Sequence, residues 1–251
     1  MDKLFDRYSL QAQVVPSLIA VLPIALTLLA WFPKAENAAK PLIAIFVCTG
    51  AILLAAHLSR EAGKSCERQF IERWGGWPTT LFLRYSDKTV DALTKSRYHA
   101  KLQRLVPDIT LPTPAQELAN PVDADAKYSS CANYLRAQTR AKSQFPLVFA
   151  ENLSYGFRRN LLGVKPFAVP VSLVCVGAIG WRAVNQVQSP SGLSLATGLS
   201  LGGTVLLTVI WLLVIRVPWT RQAAERYALR LLESIDQLPA PAPEPSIVLK
   251  P

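Results

Sequence analysis

Four apolar runs, Val14–Phe32, Pro41–Leu58, Pro166–Val184 and Leu199–Val217, limit what this chain can fold into. Each is close to the ~20 residues that carry an α-helix across a ~30 Å hydrocarbon core. None has an ionisable residue at its centre. Arg182 and Arg216 stand near ends, where a long side chain reaches the interface. The expected fold is an all-α membrane protein with two transmembrane helical hairpins (four spans) flanking a helical cytoplasmic domain, plus a C-terminal amphipathic helix. A signal peptide is the competing reading of the first run, with "AENAA" as a cleavage region. The acidic Asp2 and Asp6 in the n-region, and a run broken by Pro16 and Pro23, count against it.

Loop charge sets the expected topology. The segment Arg60–Lys165 holds 17 Lys/Arg against 10 Asp/Glu, whereas the connection 185–198 holds no Lys/Arg. The positive-inside rule then puts the central segment and both termini in the cytoplasm of a bacterial inner membrane. Expected domains are hairpin 1 over 1–59, with spans about 14–32 and 41–58, and a cytoplasmic ligand-binding domain over 60–165. Hairpin 2 follows over 166–217, with spans about 166–184 and 199–217, then an amphipathic helix over 218–238 and a disordered Pro-rich tail over 239–251. Most of the net charge of +10 lies on the cytoplasmic side, where it can meet anionic lipid or nucleic acid.

Within the central segment, "REAGKSCERQFIERW" continues the second span as a polar helix and ends at "GGWP". A second helix is expected from Ser86 or Asp87 to Val106, with Val90, Leu93, Tyr98, Leu102 and Leu105 on its apolar face. A Pro-rich connection precedes a third helix from Asp123 to about Ser143, with Tyr128, Cys131 and Leu135 on one side. A fourth, Phe145–Leu162, should break or kink at Gly163 and Pro166, making that pair a hinge before the third span. In the C-terminal helix, Tyr227, Leu231, Ile235 and Leu238 share a face that should pack on the cytoplasmic domain.

Chemistry is hard to find. His57 and His99 have no metal-ligand spacing to Cys, His or carboxylate, and there is no GxSxG, HExxH or Walker A sequence. "GGWPTT" lacks the lysine of a phosphate loop and reads as a helix-ending turn. Asp87 serves as a helix-start residue and Asp91 as an i,i+4 partner of Lys95. Neither catalysis nor a cofactor is expected. Cys48, Cys66, Cys131 and Cys175 form no CxxC pair, so no disulfide framework is expected.

Arginines interleaved with aromatic residues are more informative: Arg73–Trp74, Arg84–Tyr85, Arg97–Tyr98 and Phe157–Arg158–Arg159. Guanidinium groups contact phosphates and aromatic faces stack bases. Arg73, Arg84, Arg97, Lys101, Arg104, Arg158 and Arg159 are therefore candidate ligands for a nucleotide or oligonucleotide. The plainer alternative is a helical core whose arginines meet lipid phosphates. In the fourth span, Gly198 and Gly202 at GxxxG spacing, with Thr204 and Thr208 one turn apart, suggest close packing first and pore lining second.

The segments "ERWGGWPTTLFLRYSD", "DALTKSRYHAKLQRL" and "ENLSYGFRRNLLGVKP" resemble bacterial multi-span membrane proteins found among anti-phage defence genes, over roughly residues 60–166. The closest functional class is the transmembrane effector of the Hailong type. That resemblance implies an oligomeric channel, with a tetramer favoured, controlled by short single-stranded DNA from a partner nucleotidyltransferase and acting by membrane disruption and growth arrest. No catalytic residue transfers. A non-catalytic membrane scaffold that recruits an acidic protein is the alternative.

Overall fold

The computed structural model describes residues 10–32, 39–190 and 192–239. The side chains of 39–55 lie outside the described residues, and with them most of the expected span 41–58. So do 1–9, the connection 33–38 and the tail from 240. Every regular element among the described residues is helical. A π-helical turn, Leu10–Val14, leads into α1 (Val15–Trp31). Then come α2 (Ala39–Trp74), α3 (Pro78–Leu81), α4 (Ala92–Leu105), α5 (Pro114–Ala119) and α6 (Pro121–Gln138). The chain ends with α7 (Pro146–Val187), α8 (Leu195–Leu213) and α9 (Val217–Gln237).

Among the described residues, three helical stretches are long and apolar enough to cross a membrane: Leu10–Trp31, α7 and α8. The contacts divide the chain into two compact units, one from Met1–Glu72 with Leu153–Ala223 and one from Arg73–Asn152 with Ala224–Pro251. Residues 60–72 and 153–165 thus group by contact with the apolar helices.

In the first unit α1 packs on α8. Leu22, Ile24, Leu28 and Leu29 of α1 are exposed, as are Leu173, Val174 and Trp181 of α7 and Leu199, Leu206 and Leu212 of α8. Buried residues include Ser17, Ser172, Thr197, Ser200, Thr204 and Thr208. An apolar exterior around small hydroxyl residues suits helices solvated by hydrocarbon, where close approach and interhelical hydrogen bonds replace the hydrophobic drive. Ser172 Oγ donates to Thr208 Oγ1 at 2.5 Å, and Thr204 and Thr208 each return a hydrogen bond to the carbonyl one turn back.

The second unit has a conventional core. Tyr98, Leu102 and Leu105 of α4, Tyr128, Cys131 and Leu135 of α6, and Leu231, Leu232, Ile235 and Leu238 from the C-terminal helix onward close around it. The amphipathic face of α9 therefore packs as expected. Burial among these side chains pushes the Cys131 thiol up to about 12, so it stays protonated and inert.

The second expected helix begins later than its sequence suggests. Its start is Asp91, whose carboxylate accepts from Thr94 N at 2.9 Å, whereas Asp87 accepts from Thr89 N in a separate turn. Residues 82–90 are held out of the helix by Lys95, only 3% exposed, whose Nζ donates to Arg84 O and Asp87 O at 2.6 Å each. Lys95 is thus a backbone clamp and not the ion-pair partner of Asp91. With the helix rotated to bury Lys95 and His99, Leu93 points outward and is 84% exposed, a correction to the expected apolar face. The third helix starts at Pro121, capped by Asn120, and ends at Gln138, well short of Ser143.

Candidate functional site

A cavity of ≈ 480 Å³ opens in the second unit, lined by Arg84, Tyr85, Ser86, Pro114, Glu117, Leu118 and Pro121. Its position follows from turn chemistry. Gly75 and Gly76 take φ of 79° and 136°, which stops α2 and lets "PTTL" form α3 after Trp77. Thr113 and Gln116 make a reciprocal capping box that starts α5, and Asn120 caps α6 immediately after it. The 82–90 turns and the α5–α6 corner supply the cavity walls.

Beneath the cavity lies a connected polar network. Glu117, 8% exposed, accepts from Tyr128 Oη at 2.7 Å and from Tyr85 N at 3.0 Å. His99 Nε2 is 2.8 Å from Leu83 O, an acceptor only, so Nε2 carries the proton and Nδ1 accepts from Tyr85 Oη at 3.1 Å. Burial holds the His99 imidazole below its ordinary value, and raises Tyr85 and Tyr128 above theirs. Arg84 makes a two-pronged ion pair with Asp125 that raises its already high value, and also donates to Gly75 O at 3.3 Å. The site thus offers a fixed guanidinium, an aromatic hydroxyl and a carboxylate around an apolar-walled space. Among the described residues no group of His, Cys, Asp and Glu could hold a metal ion.

The seven candidate basic residues are divided between the two units. Arg84 alone lines the cavity. Arg97 pairs with both carboxylate oxygens of Asp236 at 3.2 and 3.0 Å, and Lys101 Nζ donates to Asp236 O at 3.0 Å, so this pair ties α4 to α9. Arg73 and Arg104 are exposed. Arg158 and Arg159 belong to the other unit.

There, Arg158 donates to Trp219 O at 2.9 Å and lies 4.6 Å from the centre of its ring. Arg159 reaches Glu67 at 3.2 Å, a pair only 14% and 13% exposed, and Tyr155 Oη donates to the same carboxylate oxygen at 2.5 Å. Asn160, fully buried beside them, donates to Ala12 O at 2.6 Å and accepts from Ser59 Oγ at 3.4 Å through its carbonyl. One residue of α7 thereby holds both α2 and the N-terminal turn.

The expected break at Gly163–Pro166 does not occur: α7 runs unbroken for 42 residues, with Pro166 and Pro170 inside it. Gly163 is instead a close-approach position. A Cβ there would lie 2.6 Å from Ala62 C and from Gly63 Cα, and nearer still to Gly63 N. In the fourth span the tightest glycine is Gly203, 3.3 Å from Leu26 for an added Cβ. Among the described residues Gly198 would meet only Leu193 at 3.7 Å, and Gly202 nothing within 4 Å, so neither makes with them the close contact that GxxxG spacing suggests. Thr204 and Thr208 are both buried, and Thr208 meets Ser172 of α7. Glu67, Asn160 and Gly63 escaped the sequence reading. The one available signal was a glycine within the otherwise helical "REAGKSCERQ".

Taken together, the chain is a helical membrane protein carrying a second helical unit with its own core and a polar-floored cavity. No family model, curated protein or solved structure matches it.

Proposed function

We propose that this protein is an oligomeric membrane effector of bacterial anti-phage defence, gated by a nucleotide or short single-stranded DNA on its second helical unit. The observation that carries the reading is the cavity at Arg84 and Tyr85, in a chain whose other unit is made of membrane-length helices. The apolar walls and the Tyr85 ring suit a base, and the Arg84 guanidinium, whose Nη1 takes no part in the Asp125 pair, suits a phosphate. Arg73 and Arg104, exposed in the same unit, can add phosphate contacts along an oligomer. Arg97, Lys101, Arg158 and Arg159 serve structure in this account, and Gly163 and Pro166 lie within the continuous α7.

The membrane part has four spans, the fourth being residues 41–58 within the 36-residue α2. It sits in the inner membrane with both termini cytoplasmic, as the basic central segment favours. Four helices of one chain leave no lumen, so permeation requires several subunits, a tetramer being favoured. Gly198 and Gly202, uncrowded within the chain, are then available for contact between subunits. A partner nucleotidyltransferase supplies the ligand, and membrane disruption arrests growth. The test is binding of short single-stranded DNA to purified protein at low salt. Ser86→Trp, placed to fill the cavity from an exposed position, should abolish it. Undiminished binding in that variant would refute the site, and no binding of any oligonucleotide or nucleotide would favour a scaffold for an acidic partner.

A further inference from the structure

Where α8 ends and α9 begins, three cations and a tryptophan gather around one elbow, Val214–Arg216. Lys165 Nζ donates to Ile215 O at 2.7 Å, which leaves two of its three N–H groups to point elsewhere. Arg216 is exposed and close enough to repel Lys165; its Nε reaches Leu212 O only at 3.4 Å. Arg158 braces the elbow from behind through Trp219 O and the Trp219 ring. Among the described residues neither Lys165 nor Arg216 makes an ion pair within 4 Å. Residues 153–223 contain six Lys/Arg and no Asp/Glu, and on α2 Glu61 is taken by Lys64 and Glu67 by Arg159.

The depth of the elbow is set by helix length. From Lys165 to Val187 α7 rises ~33 Å, and the 19 residues of α8 rise ~28 Å, both close to one hydrocarbon thickness. Lys165 and Arg216 therefore stand at the same edge of the apolar slab. Phe167, 72% exposed, faces outward two residues beyond Lys165. Two like charges held together beside apolar surface at that depth favour an anion that itself resides there.

We infer that this elbow binds the phosphate of an anionic phospholipid, held between Lys165 and Arg216 with its acyl chains along α7 and α8. The inference rests on reading α7 and α8 as membrane spans. Basic pockets between helices at the inner leaflet suit such head groups, and each cation near an anionic surface contributes about five-fold in affinity.

The test uses the full chain in nanodiscs of phosphatidylcholine alone or with phosphatidylglycerol, reading the melting midpoint and the lipid retained by native mass spectrometry. Phosphatidylglycerol should raise the midpoint and remain bound. Arg216→Gln should lower retention about five-fold and remove most of the shift. Lys165→Gln should do the same, while Lys88→Gln, in the other unit, should not. Equal retention in Arg216→Gln and wild type overturns the site, as does equal loss in Lys88→Gln. A midpoint raised as much by inorganic phosphate in detergent would assign the elbow to a soluble phosphate and overturn the lipid. A chain released from membranes by alkaline carbonate overturns the span reading beneath it, whereas an embedded chain indifferent to lipid charge overturns only the elbow.

Discussion

Replacing Gly163 with alanine tests how α2 and α7 are held together. The new methyl carbon would sit 2.6 Å from two backbone atoms of Ala62 and Gly63 and closer to a third, where no side-chain rotamer can relieve it. The two backbones must part by roughly 1 Å for ordinary van der Waals contact. One turn further on each helix stands the Glu67–Arg159 pair at 3.2 Å, which such a shift would stretch beyond useful range. Overpacking of this kind costs about 1–3 kcal/mol, or roughly 2–12 °C in melting midpoint for a chain of this size. The assay is thermal unfolding of detergent-solubilised protein. Gly63→Ala should act similarly, because its Cβ would meet Asn160 Oδ1 at 2.5 Å, and the double variant should cost less than the sum. Gly177→Ala, with open space around its Cβ, should stay within about 0.5 kcal/mol of wild type. If Gly163→Ala melts with wild type, the seam is not close-packed.

Other perturbations separate structure from function elsewhere. Glu67→Gln or Arg159→Ala leaves half of a buried pair behind and should destabilise by about 3–5 kcal/mol, with the double variant milder than either, measured by the same melts. The His99 imidazole is held below its ordinary value of 6.5 by burial, so the unfolded chain takes up its proton first. Stability should be full above about pH 6.5 and fall as pH drops below it, and His99→Gln should flatten that slope in melts from pH 7.5 to 5. Leu102→Ala, at a fully buried position, should cost about 2–5 kcal/mol, and Leu93→Ala, on the same helix but exposed, under about 0.5 kcal/mol by denaturant titration.

Much of the fold was legible because periodicity and punctuation carried it. Three of the apolar runs, the "GGWP" stop, the Tyr128–Cys131–Leu135 face and the amphipathic α9 are all local patterns, and each is found in a helix or helix end of the kind its pattern suggests. The start of α4 was misread because Ser86, Asp87 and Asp91 are equally good caps on paper. The choice among them is made by Lys95, whose buried amine holds two carbonyls of the preceding turns. The break at Gly163–Pro166 was misread for a related reason. A glycine and a proline signal interruption locally, but here the glycine answers to a neighbouring backbone and the proline lies within a continuous helix. Of the basic residues, sequence gave the types and not the partners. Asp236 lies 139 residues from Arg97, and Glu67 lies 92 from Arg159, and no pattern along the chain links either pair.

Efflux from proteoliposomes is the most direct test of ligand control over the membrane unit. Protein reconstituted at low salt should change its dye release when short single-stranded DNA is added. Raising ionic strength should abolish the change, because phosphate contacts release counterions. Ser86→Trp should be blind to the DNA while retaining its own basal release. Release that is indifferent to DNA at low salt, or equally altered in wild type and Ser86→Trp, would contradict gating through the cavity.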